Sequence, residues 1–304
     1  MAREKKTTSM KARRLVGDVA SYALLIVISI IWLFPFVCMA LQSFRSYARE
    51  YGGMTSYVIP KEFSLDNYLF LFTGNDAFLG ELSQGETNNF MKWYANTFII
   101  AFFVCILQTV FVLFMSFALS RMRFKGRELL MRFMLILGMF PGFLTMICLY
   151  FLLKEMGLTQ EGALPGLILV SVASSGMGYY VCKGYFDTIP KSLDEAARID
   201  GASRAQVFVQ MLIPLSKPII IYNLLTAFMG PWCDYIFASY IAFGKSESYN
   251  VAVGMYQWMW TNDFQGYFTR FCAGGMLVAI PITILFMCLQ KYYVEGVTGG
   301  AVKG

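Results

Sequence analysis

Charge is missing from long stretches of this chain. Six apolar runs, at roughly 17–42, 94–119, 129–152, 165–184, 218–242 and 270–292, each reach about the 20 residues that a helix needs to cross a bilayer's hydrocarbon core. Asp, Glu, Lys and Arg collect instead in the segments between them. Lipid offers no partner for backbone N–H and C=O groups. Each run must therefore satisfy its own hydrogen bonds as a helix, despite many Val, Ile and Phe residues. Composition agrees: 14% of residues are charged and 57% hydrophobic, with a mean hydropathy of +0.55, against about 25% charged in soluble domains. A water-soluble globular domain is excluded. The expected fold class is all-α transmembrane, a bundle of six helices.

The positive residues set the expected orientation. Arg3, Lys5, Lys6, Lys11, Arg13 and Arg14 precede the first run; Arg121, Arg123, Lys125 and Arg127 lie between the second and third, with Arg132 just inside the third. Lys183, Lys191, Arg198, Arg204 and Lys217 lie between the fourth and fifth, and Lys291 and Lys303 follow the sixth. Most of the 25 basic residues thus fall on one side, taken as the cytoplasm, with both termini there. The net charge of +6 then needs no nucleic-acid partner; the basic arm sits beside anionic lipid. The expected organisation is a cytoplasmic arm at 1–16, a six-span transmembrane domain at 17–293 and a cytoplasmic tail at 294–304. The first run is too long for a signal peptide, and Pro35 followed by bulky residues offers no small-residue cleavage site.

Several chemistries drop out. No histidine occurs, so neither a Ser/His/Asp nor a Cys/His catalytic set is possible. The seven cysteines (Cys38, Cys105, Cys148, Cys182, Cys233, Cys272 and Cys288) sit in apolar runs and form no C-x-x-C pair, which suits packing better than metal binding. The Gly-rich C-terminus ends in Val302-Lys303-Gly304 and lacks the spacing of a phosphate-binding loop. We expect no enzyme activity, no metal and no cofactor in this chain.

The informative segment is Ile189-Pro190-Lys191-Ser192-Leu193-Asp194-Glu195-Ala196-Ala197-Arg198-Ile199-Asp200-Gly201-Ala202-Ser203-Arg204, continuing to Met211-Leu212-Ile213-Pro214. Ser192 with Glu195 fits a capping box that would start a short helix, Gly201 would stop it, and Ser203 with Gln206 fits a second box. The second helix would lead through Pro214 and Pro218 into the fifth span.

Glu195-Ala196-Ala197, then three residues, Gly201, nine residues, and Met211-Leu212-Ile213-Pro214 resemble the EAA loop of ABC-importer permeases. Met211 and Ile213 are conservative departures from its pattern. The likeness extends along nearly the whole chain and is greatest to MalG-like permease subunits of carbohydrate importers. It is carried also by Asp66-Asn67-Tyr68, Asn96-Thr97, Ala118-Leu119-Ser120-Arg121, Trp232-Cys233-Asp234, Val251-Ala252-Val253-Gly254 and the run Gln290–Gly304.

The resemblance implies a type I importer core (MetI-like) and a bacterial plasma (inner) membrane location. It implies a coupling loop at about 189–214 whose first helix docks on the ATPase through Glu195, Ala196, Ala197, Arg198, Asp200 and Gly201. It further implies a tail that reaches the ATPase through Gly299, Gly300 and Lys303. The implied partners are a second, MalF-like permease subunit, a dimer of ATP-binding subunits and an extracellular solute-binding protein. The implied function is import of sugars, with maltose- or maltodextrin-type oligosaccharides favoured over other sugars. In that family the sugar site lies mainly on the companion permease, so no substrate-binding residue is assigned here.

Other features stay open. Asp234 in the fifth apolar run is a functional candidate because charge in a span is costly; alternatively it serves backbone groups freed by Pro231. Gly138 and Gly142 around Pro141 permit close helix approach or a kink. Tyr249, Tyr256, Trp258, Trp260 and Tyr267 could contact a sugar or a binding protein, or form an interfacial belt. An ion-coupled secondary transporter is the main alternative, but it would need ionisable residues in several spans, and only Asp234 is well placed.

Overall fold

A computed structural model describes residues 2–46, 57–74, 89–139, 142–262 and 264–301. Among them every regular element is helical, apart from one isolated antiparallel bridge between Arg45 and Phe63. In chain order these are α1 (Ala2–Ser43), α2 (Asp66–Thr73), α3 (Phe90–Arg121), α4 (Arg127–Gly138), α5 (Gly142–Glu155), α6 (Ala163–Ala173) and α7 (Gly176–Thr188). Then come α8 (Lys191–Ile199), α9 (Arg204–Leu215), α10 (Lys217–Cys233), α11 (Ile236–Ile241), α12 (Val251–Gln257) and α13 (Phe264–Ala301).

Among the described residues, four helical stretches are long and apolar enough to cross a membrane: Leu15–Ser43, Phe90–Arg121, Gln160–Thr188 and Tyr267–Tyr292. A fifth is the pair α9 and α10, bent by 80°. The third apolar run forms two helices, α4 of 12 residues and α5 of 14. At 1.5 Å per residue these measure about 18 and 21 Å, so neither alone spans a core of about 30 Å. The first of them ends at Gly138 with Met139 as its C-cap, and residues 140–141 lie outside the described residues. The fifth run also departs from one straight helix. It stops at Cys233, passes through Asp234 and Tyr235, and resumes as α11.

α3 is the axis of the molecule, and its buried residues belong to three successive cores. At one end Phe90, Trp93 and Ala101 pack with Phe70, Trp232, Met255 and Trp258. Ile100 and Val104 pack with Leu153, Leu167, Phe237 and Ile241. At the other end Val112, Leu113 and Phe117 pack with Phe186, Ile189, Phe208 and Leu212. At the first core Gly254 is obligatory, since a Cβ there would lie 2.0 Å from Cε3 of Trp93. By contrast, the apolar window of α1 contains no buried residue, and Trp32 is 73% exposed. An apolar surface of that extent suits lipid or another membrane subunit.

Candidate coupling site

α8 begins directly after Pro190, whose φ of −56° and ψ of 130° place it as the N-cap without any side-chain cap. The expected Ser192–Glu195 box does not form. Starting the helix at Lys191 puts Ser192 inside the first turn, where its hydroxyl no longer precedes the unpaired N–H groups.

The stop is as expected at Gly201, which adopts φ +86°. The Ala202 N–H donates to Ala197 O at 2.9 Å and the Gly201 N–H to Arg198 O at 3.1 Å. This is the paired pattern of a Schellman motif, and it needs a left-handed residue at the position glycine fills. The second box forms in full. The Ser203 N–H donates to Gln206 Oε1 at 2.8 Å, and the Gln206 N–H donates to Ser203 Oγ at 3.3 Å. α9 then widens into a π-helical turn over Val207–Leu212 and breaks at Ser216, between Pro214 and Pro218, which have no N–H to donate.

Nothing in α8 is buried. Glu195, Ala196, Arg198, Asp200 and Gly201 are exposed and Ala197 is half-buried. Ile199 is 87% exposed beside these charges. The result is a thin, capped helix that projects from the body with both ionic and apolar groups uncovered.

One side chain ties this projection to the axis. Arg121, the last residue of α3, places Nε 2.9 Å from Asp194 Oδ2. Its Nη2 donates to Phe186 O at 3.0 Å and to Ile189 O at 2.9 Å. Its neighbour Ser120 donates through Oγ to Asp187 Oδ1 at 2.6 Å, and Lys183 pairs with the same carboxylate. Arg121 thus closes the end of α7, the linker and the first turn of α8 onto α3. In the sequence Arg121 reads only as a topology signal and as part of the family likeness, and neither Asp187 nor Asp194 stands out. The readable hint was an arginine ending an apolar span opposite a carboxylate-bearing loop.

The other candidate residues separate in space. Gly299 and Gly300 lie in the last turns of α13, whereas Lys303 lies outside the described residues. Asp234 sits in the break after α10, where its Oδ1 accepts the Phe237 N–H at 3.2 Å. Asn250 takes up the neighbouring carbonyls, with Nδ2 donating to Asp234 O at 2.6 Å and Pro231 O at 3.3 Å. Its Oδ1 accepts the Val253 N–H at 2.9 Å and so caps α12. Asp234 therefore serves the interrupted backbone. The aromatic loop divides as well: Trp258 is buried in the first core, while Tyr256 and Trp260 are exposed and stack at 5.9 Å between centroids.

Comparison with known proteins matches residues 112–299 to the binding-protein-dependent transport system inner membrane component family. The chain is 35% identical to the galactooligosaccharides transport system permease protein GanQ of Bacillus subtilis, covering 97% of this chain and 99% of that one. It is 31% identical to the maltodextrin transport system permease protein MdxG of the same organism, over 96% and 98% of the two chains. It is 32% identical to the maltose/maltodextrin transport system permease protein MalG of Vibrio vulnificus, over 97% and 98%. Among solved structures, a bacterial ABC transporter that imports the acidic polysaccharide alginate superposes with a TM-score of 0.71 at 22% identity, over 91% of this chain and 96% of that one. That likeness concerns the fold. Together with the spaced motif on a projecting helix, these matches show that the chain is a multi-pass membrane protein belonging to the family of binding-protein-dependent ABC-importer permeases.

Proposed function

We propose that this chain is one of two permease subunits of an ATP-driven oligosaccharide importer, with maltodextrin- or galactooligosaccharide-type sugars as substrate. The observation that carries the reading is α8: a capped helix with no buried residue, held to the body through Arg121 and presenting Glu195, Arg198, Ile199 and Asp200 outward. A helix with that surface is built to enter another protein. The full-length relatives named for sugar transport support the substrate class.

In this reading α8 docks in a cleft of a cytoplasmic ATP-binding subunit. Both termini and the coupling loop lie on the cytoplasmic side, where the basic residues gather. ATP binds and is hydrolysed on the partner dimer, and this chain performs no covalent chemistry. Closure of the dimer displaces α8, and the Arg121 contacts pass that displacement to α3, the helix common to all three cores. The spans then reorient as rigid pieces between outward- and inward-open states. A MalF-like companion completes the pathway, an external solute-binding protein delivers the sugar, and Gly299, Gly300 and Lys303 belong to a tail that reaches the ATPase.

Reconstitution with the companion permease, the ATP-binding subunits and the binding protein provides the test. Glu195→Lys should leave membrane insertion intact and abolish ATP-driven uptake of labelled oligosaccharide. Uptake driven by an ion gradient without ATP, unaffected by that substitution, would replace this reading with a secondary transporter.

A further inference from the structure

Halfway along the axis helix, the packing of α3, α6 and α10 leaves a recess of about 290 Å³. Gln108, Ser171, Ser174, Thr226, Gly230 and Asp234 line it, over an apolar floor that includes Ile100, Val104 and Leu167. Gln108 stands about 27 Å along a helix about 48 Å long at 1.5 Å per residue, which puts it near mid-membrane. Its carboxamide is half-buried and makes no hydrogen bond among the described residues, and the Ser171 hydroxyl is likewise unpaired. Polar groups left unmatched at that depth are costly and mark a site where water or a ligand completes them.

We propose that this recess is a sugar subsite belonging to this chain, one that takes the hydroxyl edge of a neutral oligosaccharide in transit. The inference rests on the sugar-importer reading above and deepens it, because it assigns substrate contact to this subunit. The free groups fit a polyol. Gln108 offers two donors and an acceptor, and Ser171 offers one donor and acceptor lone pairs. The Thr226 hydroxyl already donates to Tyr222 O and that of Ser174 to Val170 O, so both remain as acceptors. Sugar hydroxyls donate and accept, as this lining requires. No Lys or Arg lines the recess to favour an anion, and its one carboxylate, Asp234, is already occupied by the backbone of α11.

The recess opens where Ser174, Thr226 and Gly230 are exposed. A polar opening of this kind is disfavoured against acyl chains and suits an internal, water-accessible face. Gly230 marks free space, since a Cβ added there meets nothing within 4 Å. A larger side chain at Gly230 would occupy the recess without striking the fold.

The experiment uses the complete importer in proteoliposomes, with radiolabelled maltotetraose and galactotetraose as probes at saturating binding protein. Sugar moved per ATP hydrolysed is the readout. Gly230→Leu should lower it by about tenfold or more. Gln108→Leu should lower it by about three- to tenfold, the range for losing a neutral hydrogen bond, with partial recovery in Gln108→Asn. ATPase stimulation and co-purification of the subunits should stay at the wild-type level. Unchanged sugar per ATP in both Gly230→Leu and Gln108→Leu would overturn the subsite while leaving the importer reading intact. A parallel fall in assembly and ATPase activity would also overturn it, reducing the recess to a packing feature. Failure of the wild-type importer to move either sugar would overturn both readings.

Discussion

The two ends of α3 are held in opposite ways. At the Phe90 end, the chain closes on itself with redundant contacts. Trp93 donates its indole N–H to Ser246 O at 2.7 Å, Asn96 donates to Glu247 O and Tyr249 O, and Thr97 Oγ1 accepts the Val251 N–H at 2.7 Å. Nearby, the guanidinium of Arg270 lies 3.7 Å above the centre of the Phe70 ring, and Thr269 donates to Asn67, which in turn donates to Ser43 O and Arg45 O. At the Arg121 end, α8 has no buried residue and depends on one arginine. The first end is internally complete, whereas the second leaves its surface for contacts that this chain does not supply.

That contrast predicts a graded response to substitution. The largest effect should come at Gly254. Gly254→Val forces a Cβ to within 2.0 Å of the buried Trp93 ring and should abolish the folded monodisperse species in size-exclusion chromatography. Asn250→Ala should follow, at about 3 kcal/mol, because it removes the donor to two carbonyls and the acceptor of one N–H in a largely buried turn. A clear drop in Tm in detergent would show it, and an unchanged Tm would mean that this end is less internally dependent than its contacts suggest.

Arg121→Ala should cost less, about 2 kcal/mol, because part of the pair with Asp194 remains accessible. Its signature should be functional: ATP hydrolysis continues while sugar uptake falls. Restored uptake in the exchanged pair Arg121→Asp with Asp194→Arg would sharpen the assignment of Arg121 as a positioning residue. Gly201→Val should cost about 1–2 kcal/mol for its left-handed backbone and should also uncouple transport, since the α8–α9 angle depends on that turn.

The smallest effect belongs to the exposed pair of Lys92 and Glu247, 2.7 Å apart. Hydrogen bonding and charge attraction from Lys92 hold the Glu247 carboxyl below its ordinary range. Its contribution is therefore present above the unfolded pKa and disappears as pH falls through the lower folded value. Because the pair is open to solvent, Glu247→Gln should leave Tm unchanged between neutral and mildly acidic pH. A measurable acid-dependent loss would show that the Phe90 end depends on surface charge as well as packing.

Legibility in the sequence followed the range of the interaction. Gly201 and the Ser203–Gln206 box were readable because each acts within a few residues, as was the short helix that Gly201 ends. The Ser192–Glu195 box failed because Pro190 set the start of the helix and placed Ser192 inside the first turn instead of at the cap. Asp234 was visible as an anomaly, but the partner of its backbone carbonyl is Asn250, 16 residues later. Arg121 could not be connected with Asp194 across 73 positions, and the recess at Gln108 exists only where three helices meet.

The sequence by itself determined that this is an all-helical membrane protein with a short helix ended by Gly201 between two apolar runs, because hydrophobic length, charge placement and a glycine stop are local properties of the chain. Only the tertiary structure decided where the apolar runs break, which arginine holds the coupling helix, and which polar groups meet between the spans. Those outcomes come from packing and from hydrogen bonds between distant segments, for which no short stretch of sequence carries the geometry.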